Sequence, residues 1–325
     1  MTDDDLLRLP DVALCCIDCT DRLPWSLRAM RQSLAQVHFG DAVLLTDRVG
    51  QVGEADLPAS VRRVGIEPLR SVEAYSRFML DGLLAHLRPA QSHVLVIQWD
   101  GHVLNAQAWS DEFLGFDYIG APWPHLPAPH DVGNGGFSLR SRRLLELLRE
   151  PQFPPEHPED VCIGVRYRPA LEARGLRFAD AALARRFSVE EGSLEGRPFG
   201  FHGPFHLPEV LDTGTLCRFI GDLSVSALGS WWMGSFMREM RGADAQARRV
   251  WQDWLEAAIP EWPEATCRSE PGRQLCKALL RHRFLDAAAA LLARRRQAGP
   301  GAWAADARLH ARLAGLRLLG RGGAR

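Results

Sequence analysis

"HVLVIQWD", residues 93–100, decides how the rest of the chain reads. Its apolar, β-branched start reads as a buried strand, and it runs straight into Gln98, Trp99, Asp100 and Gly101. A buried strand that ends in a lone carboxylate beside a glycine implies that something is held there. The segments before it alternate in kind. "DVALCCIDC" (11–19) reads as a strand, "LPWSLRAMRQSLAQV" (23–37) as a helix with apolar spacing at Leu27, Met30, Leu34 and Val37, and "DAVLLTD" (41–47) as a second strand. "SVRRVGI" (60–66) is a weaker third strand, and "SVEAYSRFMLDGLLAHL" (71–87) an amphipathic helix, which leaves residues 93–100 as the fourth strand. Strands alternating with helices predict an α/β domain with a mostly parallel sheet. In such sheets ligands bind beyond the carboxyl ends of the strands, where Asp18, Asp47 and Asp100 fall. A turn or helix cap is the competing role, with equal weight for Asp18 and Asp47 and less for Asp100.

The chain has 325 residues, 46% hydrophobic, with a formal net charge of -1. That length buries one large core, or one core plus a smaller helical domain. The near-neutral balance lacks the basic face of a nucleic-acid binder, so no nucleic-acid partner is expected. The seven cysteines are odd in number and irregular in spacing, which argues against a disulfide framework and for a reducing compartment. Cys16 and Cys19 form a C-x2-C pair with no second pair nearby, and read as small hydrophobes of a strand rather than half of a zinc site. "MTDDDLLRLP" has no secretory pattern, and the longest apolar stretch, residues 216–236, is interrupted by Arg218 and Asp222. A cytoplasmic protein without a transmembrane segment is the expectation.

Residues 111–150 have a different texture. "DYIGAPW" (117–123) reads as a short strand, followed by a loop rich in Pro and His, and "GNGGFSLRS" (133–141) packs its glycines just before a helix, "SRRLLELLRE" (141–150). The spacing is neither G-x-G-x-x-G nor a P-loop. "PEDVCIG" (158–164) then places Glu159 beside Asp160, and "FGFHGPFH" (199–206) sets His202 among glycines. His125, His130 and His157 read as solvated loop histidines.

In that order, "QWDG", "FDYIGAPW", "GNGGFSLRS" and "EDV" resemble an uncharacterised glycosyltransferase-like family with a YDYIGAPW segment followed by GNGGFSLRS. The resemblance covers roughly residues 10 to 206. That family is in turn similar to inverting nucleotide-sugar glycosyltransferases of the GT-A fold, which carry a DxD motif, a glycine-rich acceptor segment, an EDV segment and a late His. The resemblance implies a GT-A-like, Rossmann-like sheet flanked by helices over residues 1–206, and a nucleotide-sugar donor with UDP as its nucleotide. It implies a glycan or glycoconjugate acceptor and a Mn²⁺ or Mg²⁺ cofactor. Asp100 stands where the last acid of DxD would be, and His202 where the late His ligand would be. Gln98 replaces the first acid. The implied base is Asp160, with Glu159 bound to the acceptor. An acid in the first turn of a helix beginning near Val161 suits capping as well as catalysis.

The implied donor contacts are Asp18, Thr20, Asp47, Tyr75, Gln98, Trp99 and Gly101, with Arg77 as the cation that would offset leaving-group charge without a metal. Trp123, Asn134, Gly135 and Gly136 would meet the acceptor, although Trp123 reads equally well as core. The alternative is a non-catalytic nucleotide-sugar or glycan binding module on the same scaffold. A nucleotidyltransferase is disfavoured, since no Gly-rich loop bearing Arg or Lys follows the first strand.

Residues 207–325 read as an α-helical domain or appendage that holds most of the ten Trp. Residues 274–296 and 302–319 read as a helical hairpin. This region would pack on the catalytic domain or form a homodimer. The sharper reading is an acceptor or peripheral membrane contact using Trp231, Trp232 and the run Arg294 to Arg296. The tail "GRGGAR" reads as disordered.

Overall fold

The computed structural model describes residues 6–296 and 300–322. Two compact units divide the chain, Met1–Gly203 and Pro204–Arg325.

The first unit is built on one sheet with strand order β3-β2-β1-β4-β6-β5. Its strands are β1 (Leu7–Ile17), β2 (Val37–Thr46), β3 (Arg62–Gly65), β4 (His93–Ile97), β5 (Tyr118–Ile119) and β6 (Phe137–Ser141), and its helices α1 (Leu23–Leu34), α2 (Val72–Arg77), α3 (Arg142–Leu147), α4 (Glu159–Val161), α5 (Arg168–Ala173) and α6 (Ala181–Phe187). β1 to β4 run parallel, and β6 lies antiparallel between β4 and β5. The fold class is the expected one in its architecture, a Rossmann-like, mostly parallel sheet flanked by helices, with an α-helical C-terminal region. The period-2 pleat sends alternate residues to opposite faces. Leu14, Cys16, Leu95 and Ile97 pack with Leu27 and Met30 of α1 (Leu23–Leu34), while Ala13, Cys15, Val94 and Val96 pack with Met79, Leu83 and Leu144. Cys15 and Cys16 are therefore small core residues, and burial pushes the Cys15 thiol up to about 12. Pro10 lacks an N–H for the ladder, and it sits where the β1–β2 register shifts, between Leu9 and Ala13.

Three elements depart from the sequence reading. The helix expected over 71–87 is regular only as α2 (Val72–Arg77), continues as a π turn (Phe78–Gly82) and tightens to a 3-10 turn (Leu83–His86). A π turn inserts one residue and rotates the face beyond it, so Met79, Leu80 and Leu83 are buried after Ser76 of α2. Second, "FSLRS", to which the sequence assigns no strand, forms β6, paired with β4 from His93↔Ser141 to Ile97↔Phe137. All five of its residues are buried, so neither alternation nor an apolar run marks it. Third, residues 274–296 form two helices, α12 (Glu270–Arg281) and α13 (Leu285–Arg296), separated at Arg283, whose φ of 64 breaks the helix.

The second unit runs through α7 (Leu207–Val210), α8 (Thr213–Gly221), α9 (Met233–Met240), α10 (Ala245–Glu261), α11 (Glu264–Arg268), α12, α13 and α14 (Pro300–Gly322). Trp232, Trp251 and Trp262 are buried here, with Trp251 stacked on Trp254 at 5.0 Å. The sharper docking reading fails on its residues. Trp232 is core, Arg295 is buried against Asp306 at 2.7 Å, and Arg294 donates to the carbonyls of Ile259 and Trp262. Of that set only Trp231 and Arg296 are exposed. The tail enters α14 as far as Gly322, and residues 323–325 lie outside those described. Among the described residues no helix is long and apolar enough to cross a membrane.

Candidate functional site

The parallel strands stop along one edge and deliver the polar residues there. Asp18 follows β1, Asp47 follows β2, and Gln98 to Gly101 form a turn after β4, closed by Gly101 N–H donating to Gln98 O at 3.2 Å. Beyond this edge lies a cleft of about 480 Å³ walled by Asp18, Thr20, Tyr75, Gln98 and Trp99 together with Arg22 and Arg70. Five of the expected donor contacts are thus brought together. Asp18 accepts from Thr20 N–H and from Thr20 Oγ1, both at 2.7 Å, and from Ser26 Oγ, so its carboxylate holds the β1–α1 turn. Arg22 lies over the Trp99 ring at 4.9 Å. Asp47 sits 3.8 Å from Arg48 and does not line the cleft, and Arg77 is exposed at the end of α2. The cleft's own guanidinium groups are Arg22 and Arg70, which the sequence reading missed because both fall in irregular loops.

Behind the cleft wall lies a buried polar cluster. Tyr75 OH accepts from Gln98 Nε2 at 2.9 Å, and Gln98 Oε1 lies 3.2 Å from His202 Nε2. His202 Nδ1 lies 3.1 Å from Glu190 Oε1, and its Nε2 approaches Asp100 Oδ1 to 3.4 Å. Burial opposes the charged imidazole, but Asp100 and Glu190 outweigh it and hold His202 well above the usual histidine range. Glu190, in "SVEEG", is a partner that no sequence signal marked. Gly136 is required here, because a Cβ would come within 2.1 Å of His202 Nε2.

The fit of a divalent cation can be judged from these atoms. Among the described residues no group of three or more His, Cys, Asp and Glu gathers as a metal site. The 3.4 Å approach of His202 is an ion-pair contact, longer than a well-formed hydrogen bond, and Asp100 Oδ1 is buried without a hydrogen-bond partner. Asp100 Oδ1, the Gln98 amide oxygen and His202 Nε2 are oxygen and nitrogen donors of the type such a cation takes, once the imidazole gives up its proton.

The paired acids of "EDV" take opposite roles. Glu159 is buried, 3.3 Å from the fully buried Arg140, and Ser76 Oγ donates to its other oxygen at 3.2 Å. Its carboxylate is spent on fixing the segment between α2 and β6, a role distinct from the acceptor contact the resemblance implied. Arg140 was invisible as a partner because β6 was not legible. Asp160 is half-buried and accepts from Gly135 N–H at 3.3 Å. Burial first, and the neighbouring Glu159 carboxylate second, raise its carboxyl to about 6. The expected acceptor contacts are mostly engaged internally. Gly136 N–H donates to the buried Asn134 Oδ1 at 3.1 Å. Trp123 is buried against Gly133, where a Cβ would meet the indole at 2.3 Å, so core packing describes it.

A family model described as "Protein of unknown function (DUF5672)" matches residues 58–202, a span that starts ahead of α2 and ends on His202. No curated protein matches the chain. Among solved structures the chain is similar to S. aureus TarS 1-349, with 13% identity and a TM-score of 0.38 over 89% of this chain and 92% of that one.

Proposed function

We propose that the α/β unit is a nucleotide-sugar-dependent glycosyltransferase that inverts the transferred centre, with Asp160 as general base. The observation that carries the reading is Asp160 itself. A half-buried carboxylate raised to about 6 is matched to taking a proton near neutral pH. Contacts link it to the cleft, from Gln98 through His202, over Gly136 and Gly135, to Asp160. Asp160 would deprotonate the acceptor hydroxyl as that oxygen attacks the anomeric carbon and the nucleoside diphosphate leaves. Glu159 and Arg140 would position it. Asp18, Thr20, Tyr75 and Trp99 would receive the nucleotide of a UDP-linked donor, with Arg22 and Arg70 beside its phosphates.

The residues that would hold Mn²⁺ or Mg²⁺ are Asp100 and His202, with Gln98. Such a cation, when bound, neutralises the departing diphosphate. A glycan or glycoconjugate would be the acceptor.

The test is a thermal-shift panel of nucleotides and nucleotide sugars with Mn²⁺, Mg²⁺ or EDTA. A ligand at 100 times its Kd adds about 2.7 kcal/mol of stability. A shift with one nucleotide sugar is expected, lost in EDTA and in Asp100→Ala. A shift that survives EDTA removes the metal and keeps the transferase. No shift with any nucleotide sinks the transferase reading and leaves a glycan-binding module on this scaffold.

A further inference from the structure

The helical unit holds a cavity of about 680 Å³ that the transfer reaction does not use. Lys277 and Arg281 line it with one lining carboxylate, Glu270, while a third lining cation, Arg238, is paired with Glu239 at 2.7 Å, so one positive charge is left in excess. Lys277 Nζ is 3.9 Å from Glu270, beyond hydrogen-bond reach, and Arg281 is exposed. Gly234 and Ser235, in the first turn of α9, also face the cavity, and Trp232 at the N-cap supplies no side-chain cap. Met233 N–H donates to Ser230 O at 3.1 Å, and the N-terminal end of a helix carries partial positive charge. His282 lines the same cavity, is 8% exposed, and its Nδ1 has no hydrogen-bond partner. At the rim stands Trp231, 71% exposed, with its apolar surface turned to solvent.

We infer that this cavity is a second ligand site, for a molecule that presents a phosphate or diphosphate to Arg281, Lys277 and the first turn of α9 and lays an apolar or ring portion on Trp231. Donors reaching in from two helices suit a tetrahedral, multiply charged anion better than a planar carboxylate, which a single Arg fork satisfies. The phosphate comes either on a soluble molecule or on a lipid, and the two sources separate by experiment.

The full chain is titrated with inorganic pyrophosphate in EDTA by calorimetry, and co-sedimented with phosphatidic acid vesicles and with phosphatidylcholine vesicles. The variants are Lys277→Ala/Arg281→Ala, whose side chains reach the surface, Trp231→Ala, and Arg22→Ala/Arg70→Ala as the cleft control in the α/β unit. Saturable binding is expected, weakened about tenfold or more in the double variant and retained in the cleft control. Pyrophosphate binding without co-sedimentation assigns a soluble ligand. Co-sedimentation with phosphatidic acid alone, lost in the double variant and in Trp231→Ala, assigns a lipid phosphate. Binding undiminished in the double variant, or neither pyrophosphate binding nor co-sedimentation, overturns the site.

Discussion

Each unit buries an ion pair, and the two pairs differ in what surrounds them. Arg295 and Asp306 meet at 2.7 Å, and Arg295 also donates to the carbonyls of Cys267 and Ser269. That pair, with Arg273 of α12 also 3.9 Å from Asp306, ties α11, α12, α13 and α14 together. Arg140 and Glu159 meet at 3.3 Å in the α/β unit, and the residue after Glu159 is a half-buried acid raised to about 6. Buried charge by itself therefore marks no site. What distinguishes the α/β unit is a second carboxylate, held beside the pair and left in a state that favours its proton.

The largest effect sharpens that contrast. Asp160→Asn keeps the shape and removes the base, so transfer falls by about 10²-fold or more with donor affinity nearly unchanged, as read by initial rates and donor titration. Full transfer in this variant removes the base assignment.

Next come the pairs themselves. Arg140→Met leaves the Glu159 carboxylate buried without its partner and costs about 3–5 kcal/mol in urea denaturation, and transfer is lost with it. Asp306→Asn strands Arg295 and costs a similar amount in its own unit while leaving donor affinity intact. Loss of donor binding in Asp306→Asn would break the comparison.

Gly136→Ala is smaller, about 1–3 kcal/mol, because the His202 ring must give way to the new methyl, and donor affinity falls with it. The mildest probe is pH. Asp160 must be ionised to act as base, so transfer falls as pH drops through about 6, and this limb is absent from the residual rate of Asp160→Asn. The sign for stability is the reverse. A carboxyl raised above its ordinary value favours the fold when protonated, a contribution fully present below pH 3.8 and lost as pH rises through about 6.

How much of the site was legible follows from where its residues lie. Asp18 and Asp100 were readable because each follows an apolar strand and parallel strands end on one edge, while Thr20, Gln98 and Trp99 came from the family resemblance. Tyr75 was a weaker inference, because a Tyr at helical spacing is more often core, and its place depends on α2 holding its pitch as far as Arg77. Glu190, Arg22 and Arg70 carried no signal, since loops have no period to read. Asp47 was placed by the same logic and falls outside the cleft, because a turn sends its side chains in directions that strand order does not set, and Arg77, offered as the cation for a metal-free reaction, is exposed at the end of α2.

The sequence alone determined the alternation of strands and helices, the sheet edge on which the acids collect, and the helical character of the second half. These follow from local periodicity, whereas Asp160 as the acid to test came from the family resemblance that the EDV segment carries. Tertiary structure decided the rest. β6 exists because β4 offers it a ladder, Arg140 is charged and buried because Glu159 lies across from it, and Arg294 and Arg295 became struts of the helical unit. Pairing between residues far apart in sequence sets those outcomes, and no local pattern encodes which distant partner will satisfy a buried charge or an open backbone edge.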